Sequence, residues 1–331
     1  MTSLHIDRVD PADDAAVASW NETQRAAYTA GREAVWWTPT ETALEQLRTV
    51  RPGHIHGVFV ARTDEGIVGA AEAIARPDEP AEAEIGVLPE YRRRGIGTAL
   101  ARAVHDALAG HEPGVVQTEL YTDAGLTFAR RVGMEPGNVE HVQLLDLPVP
   151  ATALEALDRP NPRVTTRSWV GPCPEDVVDD WAQLTEQMEE DVPMGTLTRA
   201  VTPTDRDRIR RNEERMDAQG YDLVRTLAQL DGESVGYTVI FVSRHDPEIV
   251  IQDDTLVDRD HRGHGVGRAL KIANLQQLRD VPAARDSRWV QTWTATTNEP
   301  MLALNRAVGF RIADTMHHCE GRIDALPAAG V

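Results

Sequence analysis

The chain has 331 residues, enough for two ordinary domains, and its 41% hydrophobic and 26% charged residues are typical of a globular protein. Acidic side chains outnumber basic ones by 53 to 34, and the formal net charge of −19 disfavours nucleic acid and anionic lipid as partners. The sequence holds no apolar run of membrane-spanning length and no secretory leader pattern, so we expect a cytoplasmic protein without a membrane partner.

The cysteine content indicates the same compartment. Cys173 and Cys319 are the only two cysteines, they lie far apart in the chain, and neither has a neighbour at the spacing of metal ligands. We therefore expect two free thiols in a reducing environment, with no disulfide and no bound metal.

Secondary structure can be predicted in chain order. In the first half, apolar runs at residues 57–61 and 67–74 predict two strands, and apolar residues at helical spacing follow from 96 to 108. Prolines between 148 and 162 then predict a linker. In the second half, helical spacing is found from 177 to 188, and Thr204 with Asp207 predicts a capping box that opens a charged helix.

A hairpin and a third strand follow in the second half. Asp231-Gly232 joins the strand-like runs 223–230 and 235–242, and a run at 249–257 leads into a helix that begins near Val266. Each half has the order helix, helix, hairpin, strand, glycine turn, helix, strand, helix and strand. This order predicts a mixed α/β fold for both halves.

The two halves are copies of one domain. Arg-x-x-Gly-x-Gly occurs at Arg92, Gly95 and Gly97 and again 170 residues later. Similar segments also recur on both sides of the motif, at 67–69 and 234–236 and at 131–134 and 307–310. We therefore expect an N-terminal domain at 1–150, a linker at 151–163 and a C-terminal domain at 164–331.

The repeated motif is suited to anion binding. Its glycines allow the backbone to turn sharply at the end of a strand, and the first amide groups of the next helix then face a phosphate group. The Gly-Lys-Ser/Thr of a nucleotide P-loop is missing, and the dinucleotide fingerprint Gly-x-Gly-x-x-Gly fits poorly. A tight turn that binds nothing is the alternative for one copy, but two copies in matching contexts favour a ligand.

At these residues the sequence resembles the GNAT superfamily of acyl-CoA-dependent N-acetyltransferases. The family carries Gln/Arg-x-x-Gly-x-Gly/Ala after its fourth strand, and both motifs match this pattern. The lead-in segments 87–91 and 257–261 and the stretch 298–310 are also similar to the family. The resemblance covers nearly the whole chain. It implies two tandem GNAT domains, each with a mixed, mostly antiparallel sheet flanked by helices.

The resemblance implies acetyl-CoA as a co-substrate, with no metal. In the second half it assigns the coenzyme site to the strand end, the glycine turn and two asparagines, namely Leu256, Val257, Arg262, Gly263, His264, Gly265, Val266, Gly267, Arg268, Asn298 and Asn305. In the first half it suggests a second coenzyme site at the matching residues Val87, Arg92, Gly95, Ile96 and Gly97.

Family members often carry a catalytic base on the strand before the turn. Nine and eleven residues before Arg262, those positions are Asp253 and Ile251. Strand alternation places Ile251, Asp253 and Thr255 on one face and Asp254 on the other. We expect Asp253 to be the base, with Asp254 as the second candidate. The alternative is that these carboxylates are only solvated.

The tyrosine that acts as an acid in many family members is replaced here. Asn305 stands at its position in the second half and Ala129 in the first. Asn305 is therefore a candidate catalytic residue that is not an acid. The acid role is left open among Tyr237, a C-terminal histidine such as His317 or His318, and solvent.

The first half lacks equivalents of these residues. Ala81 and Ala83 stand at its two base positions, and only Glu84 matches Asp254. We therefore expect the first half to be a degenerate copy, which is structural or limited to coenzyme binding.

The acceptor site is predicted less directly. Glu189, Glu190 and Asp191 follow the first helix of the second half, where this fold usually shapes its acceptor pocket. They are candidates to hold a cationic amine, and a solvated helix end is the alternative.

The sequence as a whole predicts an N-acetyltransferase. It would move an acetyl group from acetyl-CoA to a primary amine of a small molecule by direct attack in a ternary complex. The alternatives are an acyltransferase that modifies a protein N-terminus or lysine, and a non-catalytic protein that binds acyl-CoA or a small molecule. We expect a monomer or a homodimer.

Overall fold

The predicted hairpins, glycine turns and helices are present in both halves of the chain. A computed structural model describes residues 3–49, 51–199 and 203–327. The strands are β1 His5–Arg8, β2 Ile55–Thr63, β3 Gly66–Ala75, β4 Ala81–Val87, β5 Val115–Leu120, β6 Met134–Asp146, β7 Val164–Val170, β8 Tyr221–Leu230, β9 Glu233–Ser243, β10 Ile249–Val257, β11 Trp289–Ala295 and β12 Arg311–Arg322. The α-helices are α1 Asp14–Thr29, α2 Thr40–Arg48, α3 Ile96–Leu108, α4 Asp123–Arg131, α5 Ala151–Leu157, α6 Val178–Asp191, α7 Arg206–Ala218, α8 Val266–Leu278 and α9 Glu299–Val308.

The chain divides into two compact units whose boundaries differ from the expected ones. The described residues of unit 1 are 3–49, 51–140, 194–199 and 314–327, and those of unit 2 are 141–193 and 203–313. The last strand therefore belongs to unit 1, where residues 317–322 pair with β5 in antiparallel register. The division expected at residue 150 is wrong here because an apolar pattern predicts a strand without specifying the sheet that it joins.

The segment expected to be a linker, 151–163, is partly helical. Helix α5 lies between its prolines, and its Leu154 is 1% exposed. Leu154 belongs to the same buried cluster as Leu145 and Val308. Burial of this leucine favours an ordered helix over a flexible linker.

Unit 1 has the strand order β1-β2-β3-β4-β5-β12, in which only β4 and β5 are parallel neighbours. Because successive side chains of β2 point to opposite faces of the sheet, this strand contributes to two hydrophobic cores. Phe59 lies in the cluster formed with α3, whereas Val58 and Val60 lie in the cluster formed with α1. Helices on both faces explain why β2 and β3 read as nearly continuous apolar runs.

Unit 2 has the strand order β6-β11-β10-β9-β8-β7, in which β10 and β11 are parallel. One face of the sheet packs on α8 and the other on α6. Ile240 and Leu275 share the first core, whereas Tyr237 and Trp181 share the second. The candidate active site lies at the parallel strands β10 and β11, where the α6 and α8 layers meet them.

Most predicted elements are confirmed, with two corrections. The hairpin at Asp231-Gly232 is present, with both residues at positive φ, 53° and 90°. The charged helix starts one residue later than predicted, because Asp205 rather than Thr204 accepts a hydrogen bond from the helix, at the amide of Arg208. Strands β1 and β7, which open the two sheets, were not predicted, because their exposed edge positions carry few apolar residues. Among the described residues, no helix is long and apolar enough to cross a membrane.

Candidate active site

The parallel strands of unit 2 separate part of the way along. β10 and β11 pair at Ile249↔Trp289, Val250↔Val290 and Ile251↔Gln291, and β10 then continues to Val257 beside β9 alone. Beyond Ile251, one edge of β10 therefore has no strand partner. We call this gap the β10/β11 opening. It exposes backbone amide and carbonyl groups that a regular sheet would pair.

A β-bulge lies at the start of this opening. Gln252 is opposite Ile240, and Thr255 is opposite Thr238, so three steps on β10 match two steps on β9. The extra residue falls at Asp253 and Asp254. The expected alternation, with Asp253 and Thr255 on one face, is therefore wrong, since a bulge shifts the side-chain directions that follow it.

Buried polar groups hold the bulge in place. The side-chain amide of Gln252, which is 1% exposed, donates to the carbonyl of Val239 at 2.8 Å and to Oγ1 of Thr238 at 2.9 Å. Thr238 in turn donates to the carbonyl of Asp254 at 2.9 Å. These bonds satisfy the groups that the bulge removes from the ladder, so the two aspartates have a fixed backbone.

The two carboxylates share one site and favour their protonated forms. Surrounding protein raises the pKa of Asp253, although the side chain keeps access to solvent, and the neighbouring Asp254 raises it further. Burial also raises the pKa of Asp254, a hydrogen bond from Tyr237 offsets part of this increase, and the charge of Glu189 adds to it. The pair therefore holds a proton at a higher pH than free carboxyl groups do.

Tyr237 connects this pair to the core. Its hydroxyl donates to Oδ2 of Asp254 at 2.7 Å, and its ring packs on Trp181 with 4.6 Å between centroids. Burial and the adjacent aspartates raise the pKa of Tyr237 well above its usual range, so it releases its proton poorly. This geometry argues against Tyr237 as the general acid and makes it a partner of Asp254.

The backbone at the end of β10 points a donor into the opening. The amide of Asp258 donates to the carbonyl of Val235 on β9 at 2.8 Å. Because amide directions alternate along a strand, Leu256 also faces β9 and the amide of Val257 faces the β10/β11 opening. Of the two backbone positions that the resemblance assigns, Val257 has the required direction.

The glycine turn ends in a helix without a side-chain cap. Gly265 is the N-cap of α8, with φ 85°, and no side chain bonds to the first amides of the helix. Gly263 also has a positive φ, 83°. A Cβ atom on Gly263 or Gly265 would meet no atom within 4 Å. The first turn of α8 therefore presents free backbone donors to open space, which suits an anion.

Other predicted residues of the turn have structural contacts. Nε of Arg262 donates to the carbonyl of Val257 at 3.1 Å, and Nη2 donates to Asp191 at 2.8 Å. A Cβ on Gly267 would lie 3.1 Å from Leu304, so this glycine permits close packing of α8 on α9. Val266, with 1% exposure, packs into the core, and Arg268 lies in the first turn of α8. The exposed His264 contacts the turn itself, at the carbonyl of His261.

The two predicted asparagines lie at opposite ends of α9. Asn298 is the N-cap, and its side chain accepts from the amide of Met301 at 3.3 Å. Asn305 is 1% exposed and donates to Gln143 at 2.8 Å and to Thr294 at 3.2 Å. Asn305 is held in a buried network, so its position does not support the catalytic role considered for it.

The predicted acceptor residues separate into three environments. Asp191 is buried and forms ion pairs with Arg259 and Arg262, so it anchors the glycine turn. Glu189 forms an ion pair with Arg208 at 2.9 Å, and its charge raises the pKa of Asp254. Glu190 is exposed. The structure thus brings only Glu189 close to the aspartate pair. Sequence spacing could not separate these three neighbours.

Unit 1 repeats the opening and the turn. β4 and β5 pair only at Ala81↔Val116 and Glu82↔Gln117 before they separate. Helix α3 begins after Gly95, with φ 83° and no side-chain cap, and Arg92 donates to the carbonyl of Val87 at 3.0 Å. Ile96 packs into the core, and a Cβ on Gly97 would lie 3.5 Å from the ring of Phe128.

The sheet register changes which residues of unit 2 match Ala83 and Glu84 of unit 1. Ala83 is opposite Ala73, and Glu84 is opposite Glu72. The bulge in β10 makes Gln252, rather than Asp253, the structural match of Ala83. Glu84 therefore occupies the strand position that Asp253 and Asp254 share in unit 2. A count of residues from the motif arginine matches Glu84 to Asp254 and Ala83 to Asp253, and the second match changes because the bulge adds a residue to one copy.

The C-terminal histidines and the two cysteines do not join the site of unit 2. His317 and His318 lie on β12 beside β5 of unit 1, and His318 is 3.3 Å from Glu119. Both cysteines are free and buried, and burial raises the pKa of each thiol to about 11. Thiols with such pKa values are poor nucleophiles at neutral pH.

A sheet that opens beside an uncapped glycine turn occurs in both units, and comparisons with known proteins assign this fold to the acetyltransferases. Residues 54–133 match the model of the acetyltransferase (GNAT) domain, and residues 181–310 match that of the acetyltransferase (GNAT) family. The mycothiol acetyltransferase of Clavibacter michiganensis subsp. michiganensis is 32% identical over 77% of each chain. That of Thermobifida fusca is 26% identical over 95% of this chain and 97% of its own.

Solved structures show the same fold. A tandem GNAT protein from the clavulanic acid biosynthesis pathway superposes with a TM-score of 0.80 at 24% identity, covering 97% of this chain and 99% of its own. A GCN5-related N-acetyltransferase from Sphaerobacter thermophilus has a TM-score of 0.68 at 18% identity and covers 99% and 98%. The chain belongs to the GNAT acetyltransferases and carries two GNAT domains in tandem. It is an N-acetyltransferase.

Proposed function

We propose that unit 2 transfers an acetyl group from acetyl-CoA to a primary amine of a small molecule by direct attack. The observation that carries this proposal is the aspartate pair in the bulge of β10, next to an opening that leads to the uncapped start of α8. A proton acceptor, a backbone donor and an anion site then lie along one strand–turn–helix segment. These are the groups that acetyl transfer to an amine requires.

The glycine turn fits the diphosphate of a coenzyme A thioester. The open space at Gly263 and Gly265 allows a ligand to approach the backbone closely, and the amides at the start of α8 supply donors. Arg262 does not have to contact the coenzyme in this arrangement. It fixes the carbonyl of Val257 and is itself fixed by Asp191, so it positions the end of the strand.

The amide of Val257 is the candidate donor to the thioester carbonyl. A donor that already points into the opening gains strength as negative charge develops on the carbonyl oxygen. The amine nitrogen attacks the carbonyl carbon, the C–N bond forms, and the C–S bond breaks to release coenzyme A. Both cysteines are buried, and this supports direct attack over a cysteine-bound acyl group.

Asp253 is the candidate proton acceptor. It keeps access to solvent, whereas Asp254 is bonded to Tyr237. The raised pKa of Asp253 brings it closer to that of an ammonium group, which makes proton transfer from the amine less unfavourable. Because the base works as a carboxylate, activity should increase as the pH rises through the pKa of the pair.

The acceptor is proposed to be a small cationic amine. Glu189 adds negative charge beside the aspartate pair, and the net charge of the chain attracts cations. The relatives are named mycothiol acetyltransferases, so the acetylation for which they are named is the first reaction to test. Modification of a protein terminus or lysine remains the alternative among enzymes.

Replacement of both aspartates tests this function. Asp253→Asn with Asp254→Asn should lower thiol release from acetyl-CoA by about 100-fold or more with the best acceptor, because removal of a general base typically costs this much. Calorimetry should still detect acetyl-CoA binding. Asp286→Asn, at an exposed position of unit 2, is the matched control and should leave the rate unchanged.

Two results would contradict the proposal. The first is thiol release that stays at the wild-type rate in the double variant. The second is wild-type protein that binds acetyl-CoA yet releases no thiol with any amine or peptide, which would favour a non-catalytic binding protein.

A further inference from the structure

We propose that unit 1 is a second acetyl-transfer site, in which Glu84 accepts the proton of a primary amine. The proposal rests on the function proposed for unit 2 only for the identity of the co-substrate. It is carried by observations within unit 1, namely the open strand pair, the position of Glu84 and a buried amide beside it.

Glu84 lies at the edge of the opening between β4 and β5. These strands pair at Ala81 and Glu82 and then separate, so Glu84 is on the part of β4 that has a strand neighbour only at β3. It occupies the strand position of the aspartate pair in unit 2, as the register shows. A regular strand in unit 1 thus places one carboxylate where a bulge in unit 2 places two.

A buried side chain on α1 contacts this carboxylate. Gln24 is 2% exposed and hydrogen-bonds to Glu84. Its Oε1 atom has no hydrogen-bond partner. An amide can donate through nitrogen to a carboxylate and accept through oxygen from a carboxylic acid. Gln24 can therefore hold Glu84 in both protonation states, which suits a group that takes up and releases a proton.

A close approach of α1 to β4 fixes this pair. A Cβ on Gly86 would lie 2.8 Å from Cβ of Ala27 and 3.2 Å from Oε1 of Gln24. Only glycine at position 86 permits this distance between the helix and the strand. Gln24 is thus held over the segment of β4 that lines the opening.

The pKa values of two carboxyl groups at the opening between β4 and β5 shift in opposite directions. Burial, with the charges of Glu72 and Glu119, raises the pKa of Glu84 to about 8. Burial acts in the same direction on Glu119, but hydrogen bonds from His318 and Tyr121 lower its pKa overall. One group is thus poised near neutral pH while the other stays charged, an arrangement typical of acid–base sites.

Charged groups near Glu84 leave its carboxylate as the group that attracts an ammonium ligand. The guanidinium of Arg32 lies over the rings of Tyr28 and Tyr121, 3.5 Å from the centroid of Tyr121, and donates to Asp314 at 2.6 Å. Glu119 is hydrogen-bonded to His318. Above its pKa, Glu84 therefore adds a negative charge that these pairs do not neutralise, and this charge attracts a protonated amine.

The backbone donors of the coenzyme turn are present in unit 1 as in unit 2. The amide of Leu88 donates to Val68 on β3 at 3.1 Å, so the amide of Val87 faces the opening. Gly95 opens α3 without a cap, and a Cβ there would meet open space. The two units therefore share the backbone donors and differ in the carboxylates.

The proposed step is the same transfer as in unit 2. Glu84, as a carboxylate, takes a proton from the ammonium group of the acceptor. The free amine attacks the thioester carbonyl of acetyl-CoA, the C–N bond forms, and the C–S bond breaks. Coenzyme A leaves as the thiolate, which takes up the second amine proton to become the thiol.

The experiment removes the activity of unit 2 first. The background protein carries Asp253→Asn and Asp254→Asn, and the probes are acetyl-CoA with ethanolamine, putrescine, glucosamine and tyramine. We expect thiol release above the uncatalysed rate with at least one amine. The release should rise with pH around the pKa of Glu84, about 8. Besides burial, the groups that act on this pKa are Glu72 on β3, Glu119 on β5, Gln24 on α1 and Glu82 on β4. Tyr28 on α1 also faces Glu84, whose charge raises the pKa of the tyrosine.

Glu84→Gln in this background should lower the remaining release by about 10-fold or more. The matched control is Glu22→Gln, at an exposed position of α1 in the same unit. It should leave the release unchanged. Calorimetry should find two acetyl-CoA molecules per chain in each variant, which shows that unit 1 is folded.

The outcomes separate the two proposals. A wild-type protein that turns over a probe while the background protein turns over none would overturn the proposal for unit 1 alone. The same holds if Glu84→Gln has no effect on the remaining release. A wild-type protein without turnover of any acceptor would instead contradict the function proposed for unit 2.

Discussion

The two units place different carboxylates at one position of the same strand. In unit 2 the position is filled by Asp253 and Asp254 in a bulge, and in unit 1 by Glu84 in a regular strand. One added residue changes the number of carboxyl groups, their directions and the partner that each one meets. Tyr237 meets Asp254 in unit 2, whereas Gln24 meets Glu84 in unit 1. Duplicated folds can thus keep a coenzyme turn and diverge in acid–base chemistry.

The glycine turns differ in a similar way. Gly263 in unit 2 has φ 83°, and Arg93 holds the matching position of unit 1 with φ 66°. A left-handed conformation costs roughly 1–2 kcal/mol for a residue with a side chain, so unit 1 keeps the backbone path at an energetic cost. Retention of this path despite the cost is consistent with a turn that still has a ligand to bind.

The largest expected effect comes from a charge at the start of α8. Gly265→Asp should lower kcat/KM for acetyl-CoA by about 100-fold, equivalent to about 3 kcal/mol, because a carboxylate there repels the diphosphate. Gly265→Asn has the same size and tolerates positive φ, so it should lose much less. Gly95→Asp should leave most of the activity of unit 2.

Gly232→Asp is the control for backbone strain, since Gly232 has φ 90° in a hairpin and also faces open space. Its activity should match that of the wild type. Equal losses for Gly265→Asp and Gly265→Asn would contradict the electrostatic explanation, since the two variants differ in charge alone.

A medium effect is expected at Tyr237, which contacts the aspartate pair of unit 2. Tyr237→Phe removes the hydrogen bond that lowers the pKa of Asp254, so this pKa should rise. A proton held by Asp254 removes the negative charge that raises the pKa of Asp253, so the base should ionise at a lower pH and the rising limb of the kcat/KM profile should move downward. The rate relative to that of the wild type should therefore be highest at low pH. Tyr221→Phe, in the same sheet and packed on Phe241, is the control. A uniform loss at every pH would show that Tyr237 only supports the core.

The smallest effect on activity is expected at a buried lysine of unit 2. Lys271 is 1% exposed, Ala101 stands at the matching position of unit 1, and burial lowers the pKa of Lys271 to about 7. Between this pH and the pKa of a free lysine, the unfolded chain binds a proton that the folded chain does not. Folding stability therefore falls as the pH decreases through this range and is constant below it.

Lys271→Met should remove this loss of folding stability. The midpoint of thermal unfolding should rise by several degrees at pH 7 and by much less at pH 10, with thiol release unchanged. A lower midpoint at pH 7 would show that the amino group, which lies 5.4 Å from the centroid of Phe310, stabilises the fold instead.

The sequence by itself determined the duplication, the fold class and both glycine turns. These features are encoded locally, because apolar periodicity and glycine positions act over a few residues. The turn beginning at Arg262 and the hairpin at Asp231 were therefore predicted correctly. The candidate base Asp253 was assigned through the family resemblance, by its distance from Arg262, and its role stays a prediction.

Only the tertiary structure decided which strands complete each unit and which side chains meet. Residues 314–322 join unit 1 because β5 offers them a partner, and no local pattern encodes that choice. The bulge at Asp253, the bond from Tyr237 to Asp254 and the position of Glu84 depend on register between strands that are distant in sequence. Register is set by the packing of whole sheets, so one added residue in β10 could not be seen before the strands were paired.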